Sequence, residues 1–214
     1  MYKKKPSLIV FEGIEGCGKS FQSKKLFNKL KKNKIKTILT REPGGTKSSE
    51  LIRNLILKDY FNKNTKNKFD KYTDTLLYLA ARNEHIINKI KPALLNKQVV
   101  VCDRFTDSTI AYQVYGKKVE IKFINKIHEK ILGKIKPNLV FILKVSAKSS
   151  KLRLKKRKSK NRYDNFAQSF YTRAQKSFLK IAKNKKNYFI LNSSSNDNVL
   201  EKNIFNIVKK NLNI

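Results

Sequence analysis

The sequence predicts an α/β fold in which a five-stranded parallel sheet is covered by helices on both faces. Five apolar runs have the length of buried strands: Leu8–Phe11, Ile35–Leu39, Val99–Cys102, Leu139–Val145 and Tyr188–Leu191. Longer segments with helical spacing of apolar residues are Phe21–Leu30, Ser48–Leu57, Thr73–Ile90, Ile121–Leu132, Ser169–Ala182 and Val199–Leu212. Strands that alternate with helices favour parallel pairing, because a parallel neighbour is reached only through a crossover connection. Ligands of such sheets bind at the carboxyl ends of the strands.

The size and composition of the chain suit one globular domain spanning residues 1–214. Hydrophobic residues make up 40% of the sequence, and no apolar run reaches the ~18 residues that a membrane helix needs. The apolar run Leu8–Phe11 is too short for a signal peptide, so we expect a cytoplasmic protein with no membrane partner. Cys17 and Cys102 lack the spacing of a metal site or disulfide framework and are expected to be inert.

The formal charge of +35 suggests a polyanionic partner when it is taken alone. The basic residues are scattered along the chain, however, and no basic stripe with interleaved aromatic residues appears. We therefore expect no specific nucleic-acid partner, while weak, salt-dependent association with nucleic acid follows from the charge.

Arginine is scarce, since it supplies only eight of the fifty basic residues. Its planar guanidinium binds phosphate or carboxylate through two parallel hydrogen bonds, which lysine cannot reproduce. Each arginine is therefore a candidate for anion binding. The eight are Arg41, Arg53, Arg82, Arg104, Arg153, Arg157, Arg162 and Arg173.

A phosphate-binding loop follows the first apolar run, where the chain reads GIEGCGKS. This matches the pattern G-x-x-x-x-G-K-[ST] in its required setting, after a strand and before a helix. Such a loop directs backbone N–H groups and a helix N-terminus at phosphates. Lys19 is expected to reach the β- and γ-phosphates of a nucleoside triphosphate, and Ser20 to ligate Mg²⁺. The residues expected to hold the nucleotide are Gly13, Ile14, Glu15, Gly16, Cys17, Gly18, Lys19, Ser20 and Phe21.

The loop predicts a three-layer P-loop NTPase fold, but it does not separate kinases from GTPases, ATPases or motor proteins. A second polar pair, Asp103 and Arg104, ends the apolar run VVVC. An acid at this place can position Mg²⁺ directly or through water, and the arginine can span two phosphates. A helix N-cap is the alternative interpretation of Asp103. We favour the metal, because the phosphate loop already requires an acid nearby.

A third turn, TREPGGT at residues 40–46, follows the second predicted strand. Together with FEGIEGCGKS, LYLAAR and DRFTDSTIAYQ, it resembles the motifs of thymidylate kinases, in their order and at their spacing. The resemblance covers essentially the whole chain, and TREPGGT combined with DRFTDSTIAYQ is highly specific. It implies a nucleoside monophosphate kinase-like fold, transfer of the γ-phosphoryl group of ATP to dTMP, and a homodimer.

The resemblance assigns one group of residues to the phosphate and base of dTMP. Arg53 matches an arginine that binds the acceptor phosphate, and Arg82 matches another at the thymine and phosphate end. Tyr78 stands where an aromatic ring stacks on the base. Ser108 and Thr109 match side chains that meet the thymine edge.

A second group is assigned by resemblance to the sugar and to the turn beside it. Glu15 matches an acid near the acceptor sugar and phosphate. Glu42 and Pro43 match the turn next to the acceptor. Tyr112 matches the tyrosine under the deoxyribose, which disfavours a 2′-hydroxyl, and Gln113 matches a glutamine near sugar and base.

A basic segment at residues 149–164 stands where nucleotide kinases carry a mobile lid. Because the phosphate loop has no arginine, the chain resembles the bacterial subclass whose lid closes over ATP. Arg162 is the expected cation against the transferred phosphoryl group, and Arg157 is expected on the ATP side. After Gln113 the family tends to have glycine at two positions, where this chain has Val114 and Lys118.

The expected catalytic set is Lys19, Arg104, Arg162, Asp103 and Glu15, with Ser20 and Asp103 holding Mg²⁺. Phosphoryl transfer needs positioning and charge neutralisation rather than covalent chemistry. Two alternatives stay open at this point. One is a P-loop kinase for another nucleoside monophosphate or a deoxynucleoside. The other is an ATPase or non-enzymatic role in nucleic-acid binding.

Overall fold

The structure is a computed structural model that describes residues 6–58, 69–156, 168–194 and 197–212. Its strands are β1 (Ser7–Glu12), β2 (Thr37–Arg41), β3 (Val99–Asp103), β4 (Leu139–Lys144) and β5 (Tyr188–Asn192). They form one sheet in the order β2-β3-β1-β4-β5, and every neighbouring pair is parallel. The predicted five-stranded parallel sheet is confirmed.

Helices connect the strands. They are α1 (Lys19–Lys32), α2 (Lys47–Leu57), α3 (Lys71–His85), α4 (Lys91–Leu95), α5 (Thr106–Thr109), α6 (Ile121–Leu132), α7 (Ala147–Lys155), α8 (Gln168–Ala182) and α9 (Asp197–Leu212). A π-helical segment, Ile86–Ile90, joins α3 to α4, and a second, Ile110–Gly116, continues α5. None of the helices in the described ranges is long and apolar enough to cross a membrane.

The core lies on both faces of the central strands. All six residues of β1 are buried, as expected for a strand covered by helices on both sides. The rings of Phe11 and Phe141 lie 5.2 Å apart, and helix residues such as Leu30 and Phe178 belong to the same core. Each such side chain contributes about 1.5–3 kcal/mol on burial.

The order of the strands places a crevice beside β1. The chain crosses from β1 to β2 and β3 on one side and to β4 and β5 on the other, so β1 lies at the point where strand order reverses. Ligand sites of open α/β sheets form outside the carboxyl ends of strands at such a point. Gly13 follows β1 directly, with φ 137°, and a Cβ there would lie 2.6 Å from the carbonyl oxygen of Leu143. The loop therefore passes against β4 before it enters the crevice.

Candidate active site

A cleft of about 450 Å³ opens at the carboxyl ends of β1, β2 and β3. Predicted site residues that line it are Glu15, Gly16, Gly18, Lys19, Ser20, Phe21, Glu42, Pro43, Arg53, Tyr78, Arg82, Asp103, Arg104, Ser108, Thr109, Tyr112 and Gln113. Gly13, Ile14 and Cys17 belong to the loop but are buried behind it. Arg157 and Arg162 lie outside the described residues.

The phosphate loop surrounds its own lysine. Lys19 is buried at the start of α1, and its Nζ donates to the carbonyl oxygen of Ile14 at 2.8 Å. Gly16 has φ 70°, and a Cβ there would lie 2.8 Å from the carbonyl oxygen of Ser150. Gly18, at φ 92°, occupies the N-cap position of α1. The loop thus combines a cation with the N-terminus of a 14-residue helix, an arrangement that binds phosphate.

Ser20 and Asp103 meet across the ends of α1 and β3. The Ser20 hydroxyl donates to Oδ2 of Asp103, while Oδ1 of Asp103 is buried without a hydrogen-bond partner among the described residues. A carboxylate oxygen beside a hydroxyl suits a hard cation such as Mg²⁺. Asp103 is not a helix N-cap, because Phe105 occupies the N-cap position of α5.

Arg104 joins the phosphate loop to the segment after β3. Its Nη1 donates to the carbonyl oxygen of Gly13 at 3.0 Å and to Ser108 Oγ at 2.9 Å. Its Nη2 donates to Glu15 Oε1 at 2.7 Å, and Tyr112 donates to Glu15 Oε2 at 2.6 Å. Burial favours the neutral form of Glu15, but the charges of Arg104 and Lys19 outweigh it and lower its pKa. Glu15 is therefore held as a carboxylate.

A buried ion pair joins Glu42, after β2, to Arg82 on α3. Arg82 Nε donates to Glu42 Oε2 at 2.7 Å. Nη1 also donates to Thr109 Oγ1 at 2.7 Å, and Nη2 to the carbonyl oxygen of Phe105 at 2.9 Å. Burial opposes ionisation of Glu42, yet Arg82 and His85 lower its pKa. The pair fixes the guanidinium at the inner end of the cleft.

Both histidines of the chain support this ion pair, and sequence reasoning missed them. His85 Nδ1 lies 3.0 Å from Glu42 Oε1, and its Nε2 lies 2.6 Å from Thr40 Oγ1. His128 Nε2 lies 2.8 Å from Arg82 Nη1. Burial and the charge of Arg82 lower the pKa of His128 to about 3. The rarity of histidine was the available signal.

Two further arginines, Arg41 in the TREPGGT turn and Arg53 on α2, also line the cleft. Arg53 Nη1 donates to the carbonyl oxygen of Pro43, and Arg41 Nη2 lies 3.1 Å from Glu50 Oε2. Burial, followed by the charge of Arg41, lowers the pKa of Arg53. Two guanidinium groups that share one carboxylate leave excess positive charge in the cleft. Arg41 was not singled out for the acceptor end, although the scarcity of arginine had marked it as an anion-binding candidate.

The described part of the predicted lid belongs mainly to α7. Its Arg153 had already been marked as an anion-binding candidate by the scarcity of arginine, whereas the cleft residues Leu154 and Leu57 were not foreseen. Arg153 Nη2 donates to the carbonyl oxygen of Ser193 at 2.7 Å, and its Nη1 lies 3.3 Å from the carbonyl oxygen of Gly16. Arg153, Leu154 and Leu57 of α2 all line the cleft. Arg153 therefore connects the phosphate loop to the segment after β5.

Two donors remain available deep in the cleft. Nε2 of Gln113 is buried and has no partner among the described residues. Of the five N–H groups of Arg82, one on Nη2 has no partner there either. A ligand with acceptor atoms at this end would satisfy both. The cleft can thus hold a phosphate chain at the loop and a second anionic ligand facing it.

Comparison with known proteins agrees with this geometry. A family model described as thymidylate kinase matches residues 11–204. A thymidylate kinase of Wolbachia pipientis wMel is 40% identical over 176 residues, which cover 81% of this chain and 84% of that protein. One from the Aster yellows witches'-broom phytoplasma is 39% identical over 208 residues, 95% of each chain. The crystal structure of thymidylate kinase from Ehrlichia chaffeensis superimposes with a TM-score of 0.74 at 30% identity, covering 95% of this chain and 99% of that one.

Proposed function

The chain belongs to the thymidylate kinase family, and from that premise we propose how its cleft transfers the γ-phosphoryl group of ATP to dTMP. An oxygen of the dTMP phosphate attacks the γ-phosphorus, the bond from that phosphorus to the β,γ-bridging oxygen breaks, and dTDP and ADP result. The observation that carries the proposal is Arg104, which contacts the phosphate loop and the acceptor-side residue Ser108 at once.

The ATP side of the cleft is formed by the phosphate loop. Backbone N–H groups from Gly13 to Ser20 bind the β- and γ-phosphates, and Lys19 exchanges its bond to Ile14 for a phosphate oxygen. Phe21 lies at the cleft rim, with 49% of its surface exposed. Arg153 adds a cation beside Gly16. These groups balance charge where it develops during transfer.

Ser20 and Asp103 would hold Mg²⁺, since they offer a hydroxyl and a carboxylate oxygen without a partner. The bound ion would supply charge neutralisation on the phosphate oxygens. To ligate the ion, the Ser20 hydroxyl would give up its hydrogen bond to Asp103. We therefore assign both residues to the metal, as the sequence predicted.

The acceptor phosphate is fixed by arginine. Arg53 reaches it from α2, with Arg41 beside it, while Arg104 spans acceptor and donor phosphates. Because the acceptor phosphate is largely ionised near pH 7, no strong base is needed and alignment is the main requirement. Glu15 serves this alignment, since its carboxylate holds the Arg104 guanidinium in place.

The sugar and base lie deeper, between α3 and the segment that follows β3. Tyr78 stacks on the base, and Glu42 with Pro43 shapes the wall beside it. Ser108 and Thr109 meet the polar edge of the base, together with Arg82 and Gln113. Tyr112 packs against the deoxyribose where a 2′-hydroxyl would project.

Further assignments concern the lid, the domain organisation and the oligomeric state. Arg162 meets the transferred phosphoryl group from the lid, residues 149–164, and Arg157 binds ATP. The chain acts as a single kinase domain in the cytoplasm. It forms a homodimer through α2, α3 and the π-helical segment that follows α3, where the side chains of Leu51, Leu55, Leu76 and Ile87 are between 45% and 69% exposed.

A coupled assay of ADP release with a panel of nucleoside monophosphates and deoxynucleosides tests the function. We expect dTMP to have the highest kcat/KM. Preference for AMP, dCMP or a nucleoside would favour the alternative kinase activity. Light scattering of the wild-type protein and the Leu76→Glu variant tests the homodimer, which should dissociate in the variant.

A further inference from the structure

Glu12 is a buried carboxyl group at the end of β1 that the mechanism above leaves without a role. Its side chain is inaccessible to solvent. Oε1 accepts hydrogen bonds from the backbone N–H of Phe105 at 2.8 Å and of Ser108 at 3.2 Å. Oε2 accepts one from the Ser108 hydroxyl at 2.6 Å. One side chain thus receives three hydrogen bonds from the segment that follows β3.

That segment begins with a backbone conformation that an arginine rarely adopts. Arg104 has φ 72°, in the left-handed region. A non-glycine residue there costs on the order of 1–3 kcal/mol and persists only when its surroundings hold it. The Arg104 N–H donates to the carbonyl oxygen of Phe11 at 2.9 Å, and the next N–H, that of Phe105, is bound by Glu12. The last two residues of β1 therefore hold both sides of the turn.

We propose that Glu12 is a positioning residue for Arg104 and acts through Ser108. Glu12 fixes the Ser108 hydroxyl, which accepts the hydrogen bond from Arg104 Nη1 at 2.9 Å. The guanidinium is thereby held at a fixed position between the two substrates. The inference rests on the proposed role of Arg104 at the transferred phosphoryl group. It explains why a carboxyl group occupies a core position whose neighbours in β1 are apolar.

The test compares Glu12→Ala and Glu12→Gln by steady-state kinetics. Alanine leaves the buried N–H of Phe105 unpaired and frees the Ser108 hydroxyl, although the Ser108 N–H keeps its hydrogen bond to the carbonyl oxygen of Phe105. We therefore expect kcat to fall about 10²-fold, as for a misplaced catalytic group. Glutamine keeps the Oε1 acceptor, and its amide can donate to Ser108 Oγ. Burial and the nearby Asp107 raise the pKa of Glu12 to about 8, so glutamine is also a close mimic of its protonated form. The kcat of Glu12→Gln should therefore stay within about tenfold of the wild-type value.

A double-mutant cycle with Arg104→Ala separates positioning from general destabilisation. If Glu12 acts through Arg104, Glu12→Ala should lower kcat by less than about threefold once Arg104 is alanine. An equal loss of kcat in both backgrounds would overturn the inference. If Arg104→Ala itself leaves kcat unchanged, the proposed role of Arg104 fails first and takes the inference with it.

The control for stability is Ile204→Ala, which removes a buried side chain of α9 that does not line the cleft. Each variant is assayed at the same interval below its melting temperature. A control that loses as much kcat as Glu12→Ala would also overturn the inference. Should Glu12→Ala not fold, Glu12→Asp replaces it in the cycle, because the shorter carboxylate cannot reach both Phe105 and Ser108.

Discussion

Nη1 of Arg82 donates a hydrogen bond to Nε2 of His128 at 2.8 Å, inside the protein. The acceptor nitrogen cannot carry a proton, so the folded state requires a neutral imidazole. Burial and the charge of Arg82 act in the same direction and lower the pKa of His128 to about 3. The inner end of the cleft is thus built on a histidine that must stay uncharged.

Acid should therefore destabilise the protein through His128. The unfolded chain takes up a proton near pH 6.5 and the folded chain only near pH 3, so the stabilisation is fully present above pH 6.5 and is lost as pH falls. The slope approaches about 1.4 kcal/mol per pH unit for one proton. We expect unfolding by urea to show a flatter pH dependence between pH 6.5 and 4.5 for His128→Gln than for wild type. Parallel curves for the two proteins would contradict this.

Lys19→Ala should abolish most activity without unfolding the chain. The residue supplies the one charged amine of the phosphate loop, and loss of one preorganised charge lowers turnover about 10²–10³-fold. Lys24→Ala, an exposed lysine on the same helix, is the matched control and should retain full turnover. Equal turnover of the two variants would reject the assignment of the phosphate loop.

Ser20→Ala should change the requirement for Mg²⁺. Removing the hydroxyl deletes one proposed ligand and also the hydrogen bond to Asp103. We expect the Mg²⁺ concentration for half-maximal rate to rise by about tenfold, as when one ligand contact of about 1.4 kcal/mol is lost. Titration of Mg²⁺ at fixed ATP and dTMP measures this. An unchanged titration curve with reduced kcat would place Ser20 outside the metal site.

Arg53→Ala should raise the KM for dTMP and leave that for ATP nearly unchanged. The side chain lines the cleft and donates to the carbonyl oxygen of Pro43 in the TREPGGT turn. Loss of a hydrogen-bonded charge to a phosphate costs about 1.5–3 kcal/mol, or roughly tenfold to a hundredfold. Arg173→Ala, an exposed arginine of α8, is the control. A rise in the KM for ATP alone would move Arg53 to the other substrate.

The strands were predictable because buried parallel strands are continuous apolar runs, and four of the five predicted runs begin within one residue of the observed strands. The segment Thr106–Gly116 was recognised as a motif but not as helix. Its threonines and aromatic residues have low helix propensity, so packing decides its conformation. The Tyr112 ring, for example, lies 5.7 Å from that of Phe170, almost sixty positions later in the chain.

The residues of the site likewise divide into those that the sequence could predict and those that it could not. That Lys19, Ser20 and Asp103 lie together in the cleft was predictable, because each motif carries its own spacing. His85 and His128 were not, because their partners Glu42 and Arg82 lie more than forty residues away in sequence. Glu12 lies within the motif FEGIEGCGKS, but the sequence does not indicate which groups it binds; the structure shows that they are Phe105 and Ser108.

The last prediction concerns which base the cleft accepts, and it follows from unpaired donors. Gln113 Nε2 and one N–H of Arg82 lack partners among the described residues. A thymine carbonyl satisfies such donors, whereas the amino group of cytosine adds a third donor and leaves them unpaired. Sites that depend on such hydrogen bonds discriminate by about 10⁴-fold or more. We therefore expect kcat/KM for dCMP to be lower than for dTMP by at least about this factor.

Shape should discriminate less strongly than hydrogen bonding. dUMP keeps both carbonyl groups and lacks one methyl contact, so we expect about a tenfold loss, while the ribonucleotide that Tyr112 opposes should lose about 10²-fold. Gln113→Ala should reduce the ratio of kcat/KM for dTMP to that for dCMP, because the variant lacks one donor that cytosine would leave unpaired. Measured kcat/KM values for all four nucleotides decide the point. If dCMP reacts as well as dUMP, then shape alone selects the acceptor, and the two buried donors must be paired by some group other than the base.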